Sequence, residues 1–368
     1  MRILCVHQGY ELYGSDRMFL LSLKAFREKY PESHITVHLP KEGSLSELIF
    51  KDKVVDELII REMGVLRKND FKKFRFKQIF SQLANIPDKV KFCDKFDIVY
   101  VNSIVVVDYL IACHYTTAKS IVHIHEIPSK LLTGIFQRLI KFSQSYSIFI
   151  SNAVRQNFPK IRNGEIVLNG IQGFAYCNRH CKEILNILHI GRINAWKGQD
   201  FLLRSIAGLD SKSKKRINVH IVGGVFEDQI HFKTQLETMV TEYSLNSIVS
   251  FHDFRENPEE DYRWADVVVV PSKLPEPFGL VAIEAMSTGA IVLAAKHGGL
   301  SEVFEDGTSG IYFEPNNEEA LKEALTGILN SSEKVKLLSR NGHKIYKEKF
   351  TEEAYISRFA AAIGNIEE

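Results

Sequence analysis

Two parallel α/β domains in tandem are what this 368-residue sequence predicts. Three observations predict them. Apolar strand-like runs alternate with amphipathic helical ones nearly throughout, and parallel strands require such crossovers. The alternation restarts near residue 184, after the irregular stretch "VLNGIQGFAYCNRHCKE". The chain is also longer than one hydrophobic core usually organises.

In chain order, the first-half strands are expected in "RILCVHQ", "HITVHLP", "VVDELII", "DIVYVNS", "SIVHIHE" and "YSIFIS". Between several of them lie helical patterns such as "DRMFLLSLKAFREKY" and "KLLTGIFQRLIKF". The second half repeats the scheme with "ILNILHIGR", "RINVHIVGG", "IVSFHDF", "ADVVVVPS", "AIVLAA" and "SGIYFEP". The domains are therefore placed at 1–170 and 184–349, with a final helical tail at 350–368. Ligands of such sheets bind beyond the carboxyl ends of the strands, so the connecting loops are where chemistry is sought.

The composition, 45% hydrophobic and 25% charged, is that of a folded chain rather than a disordered one. Net charge is only +2, but it is unevenly spread. Residues 1–165 hold 25 Lys/Arg against 17 Asp/Glu, and the remainder 22 against 28. The first half is thus the better candidate for an anionic surface or substrate. Five cysteines give no even disulfide framework and point to a reducing, cytoplasmic setting. "CNRHC" (177–181) lacks the second ligand pair that a zinc site needs. The opening "MRILCVHQG" enters a strand directly, without a leader pattern, and no apolar run reaches 18 residues.

Three loops carry candidate chemistry. In "HQGYELYGSDRMFLLSL", Gly14 and Ser15 stand just before a helix, where free N–H groups suit a phosphate. Taken alone, that loop reads equally as an ordinary strand–helix turn, and it has too few glycines for a nicotinamide fingerprint. In "GRINAWKGQD", Arg192 and Lys197 are two cations between a strand and a helix, suited to a diphosphate. By themselves they would read as solvated surface charges. In "EPFGLVAIEAM", Glu276 precedes a helix opened by Pro277 and Gly279, and Glu284 projects from that helix.

Together "GRINAWKG", "VVVVPSKLPEPFGLVAIEAMSTG" and "GGLSEVFEDGTSGIYFEP" resemble the retaining, GT-B-fold glycosyltransferases of group 1 (family 4), whose glutamate pair E-x7-E matches Glu276 and Glu284. "YGSDR" and "HIHEIP" are looser matches in the first half. The resemblance implies two Rossmann-like domains facing across a cleft, the second binding a nucleotide-sugar and the first an acceptor. The tail helix would pack back on the first domain. Glu284 would accept hydrogen bonds from the ribose hydroxyls. Glu276 would bind the donor sugar or stabilise positive charge at its anomeric carbon. Backbone amides of Phe278, Gly279 and Leu280, with Arg192 and Lys197, would hold the diphosphate, and Gly14 and Ser15 would close over it. His125 matches the family's histidine beside the reacting sugar, and His123, two residues earlier, is its rival.

Two positions depart from the family pattern: Ser15 follows Gly14 where relatives often have paired glycines, and Asp253 stands where glycine is common. Uridine is expected from family frequency alone. No Asp-x-Asp is present, so the expected cofactor is none and no metal ligand is assigned.

The run "RKNDFKKFRFKQIF" (67–80) has six cations, one acid and four phenylalanines. It reads either as a solvated helix or as a dock for an anionic inner-membrane face, where each nearby cation adds roughly 1 kcal/mol. The helix "KLLTGIFQRLIKF" could assist, and no nucleic-acid signature accompanies the charge. The implied activity is transfer of a hexose or N-acetylhexosamine, with retention, to a hydroxyl of a saccharide on polyprenyl diphosphate. The setting would be O-antigen-like lipopolysaccharide synthesis by a cytoplasmic, peripheral membrane protein. Alternatives are a sugar phosphorylase, a nucleotide-sugar epimerase and a non-catalytic nucleotide-sugar binder.

Overall fold

The computed structural model describes residues 1–66, 85–179, 183–226 and 229–366; the basic run 67–80 and the "HC" of "CNRHC" lie outside them. Two compact units account for the chain, one formed by 1–169 with 352–368 and the other by 170–351.

In the first unit the strands are β1 (Arg2–His7), β2 (His34–Leu39), β3 (Glu57–Ile60), β4 (Ile98–Asn102), β5 (Lys119–Ile124), β6 (Tyr146–Phe149) and β7 (Gly164–Ile166). All pairings are parallel, in the order β3-β2-β1-β4-β5-β6-β7 among the described residues. The crossovers run through α1 (Gly14–Lys29), α2 (Ser44–Asp52), α3 (Ile86–Cys93), α4 (Val107–Tyr115), α5 (Lys130–Ser143) and α6 (Asn152–Asn157). Strand β1 is buried on both faces from Ile3 onward, which is why it reads as a continuous apolar run rather than an alternating one. Strand β7 went unread in the sequence because "GEI" is three half-buried edge residues with no apolar run.

In the second unit the strands are β8 (Leu185–Ile190), β9 (Ile217–Val222), β10 (Val249–His252), β11 (Val267–Val270), β12 (Ile291–Ala295) and β13 (Ile311–Phe313). Their order, β10-β9-β8-β11-β12-β13, is again parallel throughout. The helices are α7 (Gln199–Ala207), α8 (Ser211–Lys214), α9 (Ile230–Glu242), α10 (Glu259–Trp264), α11 (Leu280–Thr288), α12 (Glu318–Leu329) and α13 (Ser332–Lys349). The stretch after residue 170, left between the two domain ranges above, packs within this unit. Phe174 stacks on Tyr262, and the Cys177 N–H donates to the Thr288 carbonyl at 2.9 Å.

The chain then supplies α14 (Glu352–Gly364) to the first unit. Phe359 meets Phe26 of α1 and Tyr100 of β4 edge-on, with centroids 5.5 and 5.6 Å apart, and the Tyr355 hydroxyl lies 2.7 Å from that of Ser22. Both sheets reverse strand order beside their first strand, at β1/β4 and β8/β11. Ligand-binding loops of doubly wound sheets gather at that switch point. No described helix is long and apolar enough to cross a membrane.

Candidate active site

In the second unit, five of the predicted residues sit on two loops at the carboxyl ends of β8 and β11, and Leu280 and Glu284 lie on α11 just beyond the latter. Glu276, 6% exposed, accepts from the Lys197 ammonium at 2.6 Å and from the Ser272 hydroxyl. Burial alone would raise its pKa. The charge and hydrogen bond of Lys197, with the Ser272 hydroxyl, outweigh burial and hold it below the usual carboxylate range. Burial, with the nearby Lys197 charge, holds His189, at the end of β8, down to about 4, so it stays neutral beside the pair.

The position of Glu276 depends on backbone rather than side chains. Its segment bridges in parallel to Gly298, and the Gly299 N–H donates to the Glu276 carbonyl at 2.7 Å. Gly298 has φ +60° and ψ −154°, a conformation that side-chain-bearing residues avoid, and a Cβ there would collide with the Glu276 carbonyl. Gly279 precedes α11 with φ +120° and has no room for a Cβ against Leu300. This turn aims the first amides of α11 out of the helix, where they lack intrahelical acceptors. Phe278 is buried and packs edge-on against Phe350, 5.9 Å away.

Glu284 is 8% exposed and accepts from the Tyr262 hydroxyl at 2.5 Å. The Arg192 guanidinium lies over the Phe226 ring, 4.1 Å from its centroid. Lys197 and Glu276 are thus joined directly, whereas Arg192 and Glu284 have other neighbours. Ser272, Gly298 and Tyr262 were not assigned from sequence. Gly298 stood inside a quoted motif, but nothing in a linear sequence shows that its backbone abuts Glu276.

In the first unit, Gly14 and Ser15 form the first turn of α1, and His125 follows β5. Asp16, the third residue of α1, accepts the Tyr13 N–H at 2.9 Å, as an acid in a capping position does. Its other oxygen lies 2.7 Å from Nε2 of the buried His7. Asn102, at the end of β4, touches His7 Nδ1 and His125 Nε2, each at 2.8 Å. Burial and the nearby His7 push His125 down to about 3, so it stays uncharged. Its rival His123 is wholly buried, with Nδ1 2.7 Å from the Tyr100 hydroxyl, and burial lowers its pKa too. Beside them Ser103 adopts φ +109°, a strained conformation for serine. Its hydroxyl donates to Glu126, whose pKa burial raises. His7, Asp16 and Asn102 were missed, although the placement of His7 at the end of the first strand was a usable signal.

With this geometry in view, residues 181–345 match the family described as Glycosyl transferases group 1. The chain is 33% identical over 153 residues to a D-inositol 3-phosphate glycosyltransferase of Corynebacterium kroppenstedtii, covering 40% of this chain and 33% of that protein. It is 36% identical over 153 residues to the Streptomyces griseus enzyme of the same name, covering 40% and 32%. The chain therefore spans about a third of the length of these relatives. Among solved structures, Anabaena HepE in complex with UDP and glucose superposes with a TM-score of 0.81 at 20% identity, covering 99% of this chain and all of that one. At such identity the likeness establishes the fold, which is GT-B.

Proposed function

We propose that the chain transfers a sugar from a nucleoside diphosphate to an acceptor hydroxyl, because residues 181–345 match the glycosyl transferases group 1 and the fold is GT-B. The observation that carries this reading is the buried pair of Glu276 and Lys197, eight positions before Glu284 and beside the first amides of α11. A carboxylate kept charged there can stabilise positive charge developing at an anomeric carbon. The same lysine is placed to turn toward a departing diphosphate, with Arg192 and the amides of Phe278, Gly279 and Leu280 completing the anion site.

In the proposed reaction the bond from the anomeric carbon to the donor phosphate oxygen breaks. A bond from that carbon to the acceptor oxygen forms on the same face. The acceptor proton passes to the leaving phosphate. Configuration is retained, and the cations and helix amides neutralise the diphosphate without a metal. HepE is solved with UDP and glucose, which favours a UDP-hexose donor, with a UDP-N-acetylhexosamine as the alternative. Glu284 then receives the ribose hydroxyls, exchanging or sharing its Tyr262 partner.

The proposed acceptor is a lipid-linked saccharide of a bacterial surface polymer, approached from the inner membrane face. Support comes from the basic first half and from α5, where Leu131, Ile135 and Phe142 are exposed among Lys130, Arg138 and Lys141. The test is thermal shift against UDP-, GDP- and ADP-sugars in EDTA, then transfer assays with hit donors. A ligand that binds only the folded state raises the melting temperature with concentration. A response only with Mn²⁺, or an inverted anomeric centre in the product, would sink the proposal.

A further inference from the structure

We infer that a one-way hydrogen-bond chain, Asp16–His7–Asn102–His125, fixes His125 with its proton on Nε2 and a bare lone pair on Nδ1, making Asp16, His7 and Asn102 positioning residues. The direction follows from what each group can give. The Asp16 carboxylate can only accept, and one of its oxygens is already held by the Tyr13 N–H at 2.9 Å. Its other oxygen, 2.7 Å from His7 Nε2, therefore takes a proton from that nitrogen. A neutral imidazole has one such proton, so His7 Nδ1 becomes an acceptor.

Asn102 must then present its NH₂ to His7 Nδ1 at 2.8 Å, which turns its carbonyl oxygen toward His125 Nε2, also at 2.8 Å. That oxygen takes a second hydrogen bond from the Tyr100 hydroxyl at 2.8 Å, and Tyr100 in turn can accept from His123 Nδ1 at 2.7 Å. For a neutral His7 the opposite amide orientation would need the proton on Nδ1, where the Asn102 backbone carbonyl lies 3.3 Å away, and would set a lone pair of Nε2 against the carboxylate at 2.7 Å. The buried position of His7, Asp16 and Asn102 excludes water as a substitute partner. No hydrogen bond to His125 Nδ1 occurs among the described residues.

A residue at the third position of α1 thereby sets which nitrogen of a histidine on another strand can act. This deepens the proposed function and rests on it only for what Nδ1 meets. With its lone pair outward, His125 accepts from a sugar hydroxyl and cannot donate to a phosphate oxygen.

The test is long-range ¹H–¹⁵N spectroscopy of the full chain labelled at histidine, which reports the tautomer without needing activity. Wild type should show neutral His125 protonated on Nε2. In Asp16→Asn the new amide satisfies the Tyr13 N–H with its oxygen and turns its NH₂ to His7. Each link then reverses, and His125 should carry its proton on Nδ1. Asp16→Glu, still an acceptor, should restore the wild-type pattern. In transfer assays Asp16→Asn should lower kcat on the order of 10²-fold or more, as tautomer errors do elsewhere, with donor KM little changed.

Wild-type His125 protonated on Nδ1 would overturn the inference even if no variant folds. So would an unchanged tautomer in Asp16→Asn. A tautomer that switches in a chain inactive with every donor would support the inference and overturn the transferase reading instead.

Discussion

Glu276 and Glu284 are both buried carboxylates, yet their surroundings treat them differently. Glu276 has a cation and a hydroxyl, whereas Glu284 takes the Tyr262 hydroxyl. Removing one partner of a buried pair leaves a charge uncompensated, so Lys197→Ala should destabilise the second unit by about 3 kcal/mol, read by urea unfolding. The Ser272 hydroxyl remains, which puts the cost at the low end. An unchanged unfolding midpoint would mean that the pair is solvated. Tyr262→Phe removes a hydrogen bond to a buried carboxylate and should cost about 1.5–3 kcal/mol, and added nucleotide should recover part of it if ribose hydroxyls take the vacated place. Glutamate spacing was legible because it lies within one loop and helix. The Tyr262 contact was not, since 22 positions and the strand β11 separate the partners.

Among the elements, the most exacting contact is the loop around Gly298 against the loop of Glu276. Gly298→Ala forces a Cβ into the Glu276 carbonyl and a strained backbone, which costs on the order of 1–3 kcal/mol for the backbone alone. The expected outcome is a lower melting temperature together with weaker donor binding. A variant with wild-type affinity would show that the loop is free to shift. Phe359→Ala should cost about 3–5 kcal/mol, because its ring fills the space between Phe26 and Tyr100. Strands such as "VVVV" (267–270) were legible because parallel strands covered on both faces are apolar without interruption. The three-residue β7 was not, since its place at the edge of the sheet depends on pairing with β6. The contact of α14 with α1 joins residues more than 300 apart, and no local periodicity specifies such a partner.

Across the whole molecule, buried neutral histidines set a pH dependence. Burial pushes His38 and His189 down to about 4 and His125 to about 3, against about 6.5 in an unfolded chain. Above pH 6.5 neither state binds these protons, and the stability they contribute is fully present. As pH falls below 6.5, the unfolded chain takes up protons that the folded one refuses. Stability should decline down to about pH 4, by at most about 1.4 kcal/mol per pH unit for each group. Glu126 and Asp261, both raised by burial, act in the opposite sense. Urea midpoints that stay level between pH 7 and pH 5 would contradict these assignments. The neutral state was not legible in the sequence, which shows thirteen histidines without showing which are covered.

The first unit is closed by α14, which the chain reaches only after residues 170–351 have built the second. A ribosome therefore releases the second unit's entire sequence before Tyr355 and Phe359 can seal the surface of Phe26 and Tyr100. During synthesis the amino-terminal half waits, with an apolar groove uncovered, while the later half is free to fold first. The unit that is synthesised first is thus the one that waits for the end of the chain to be complete.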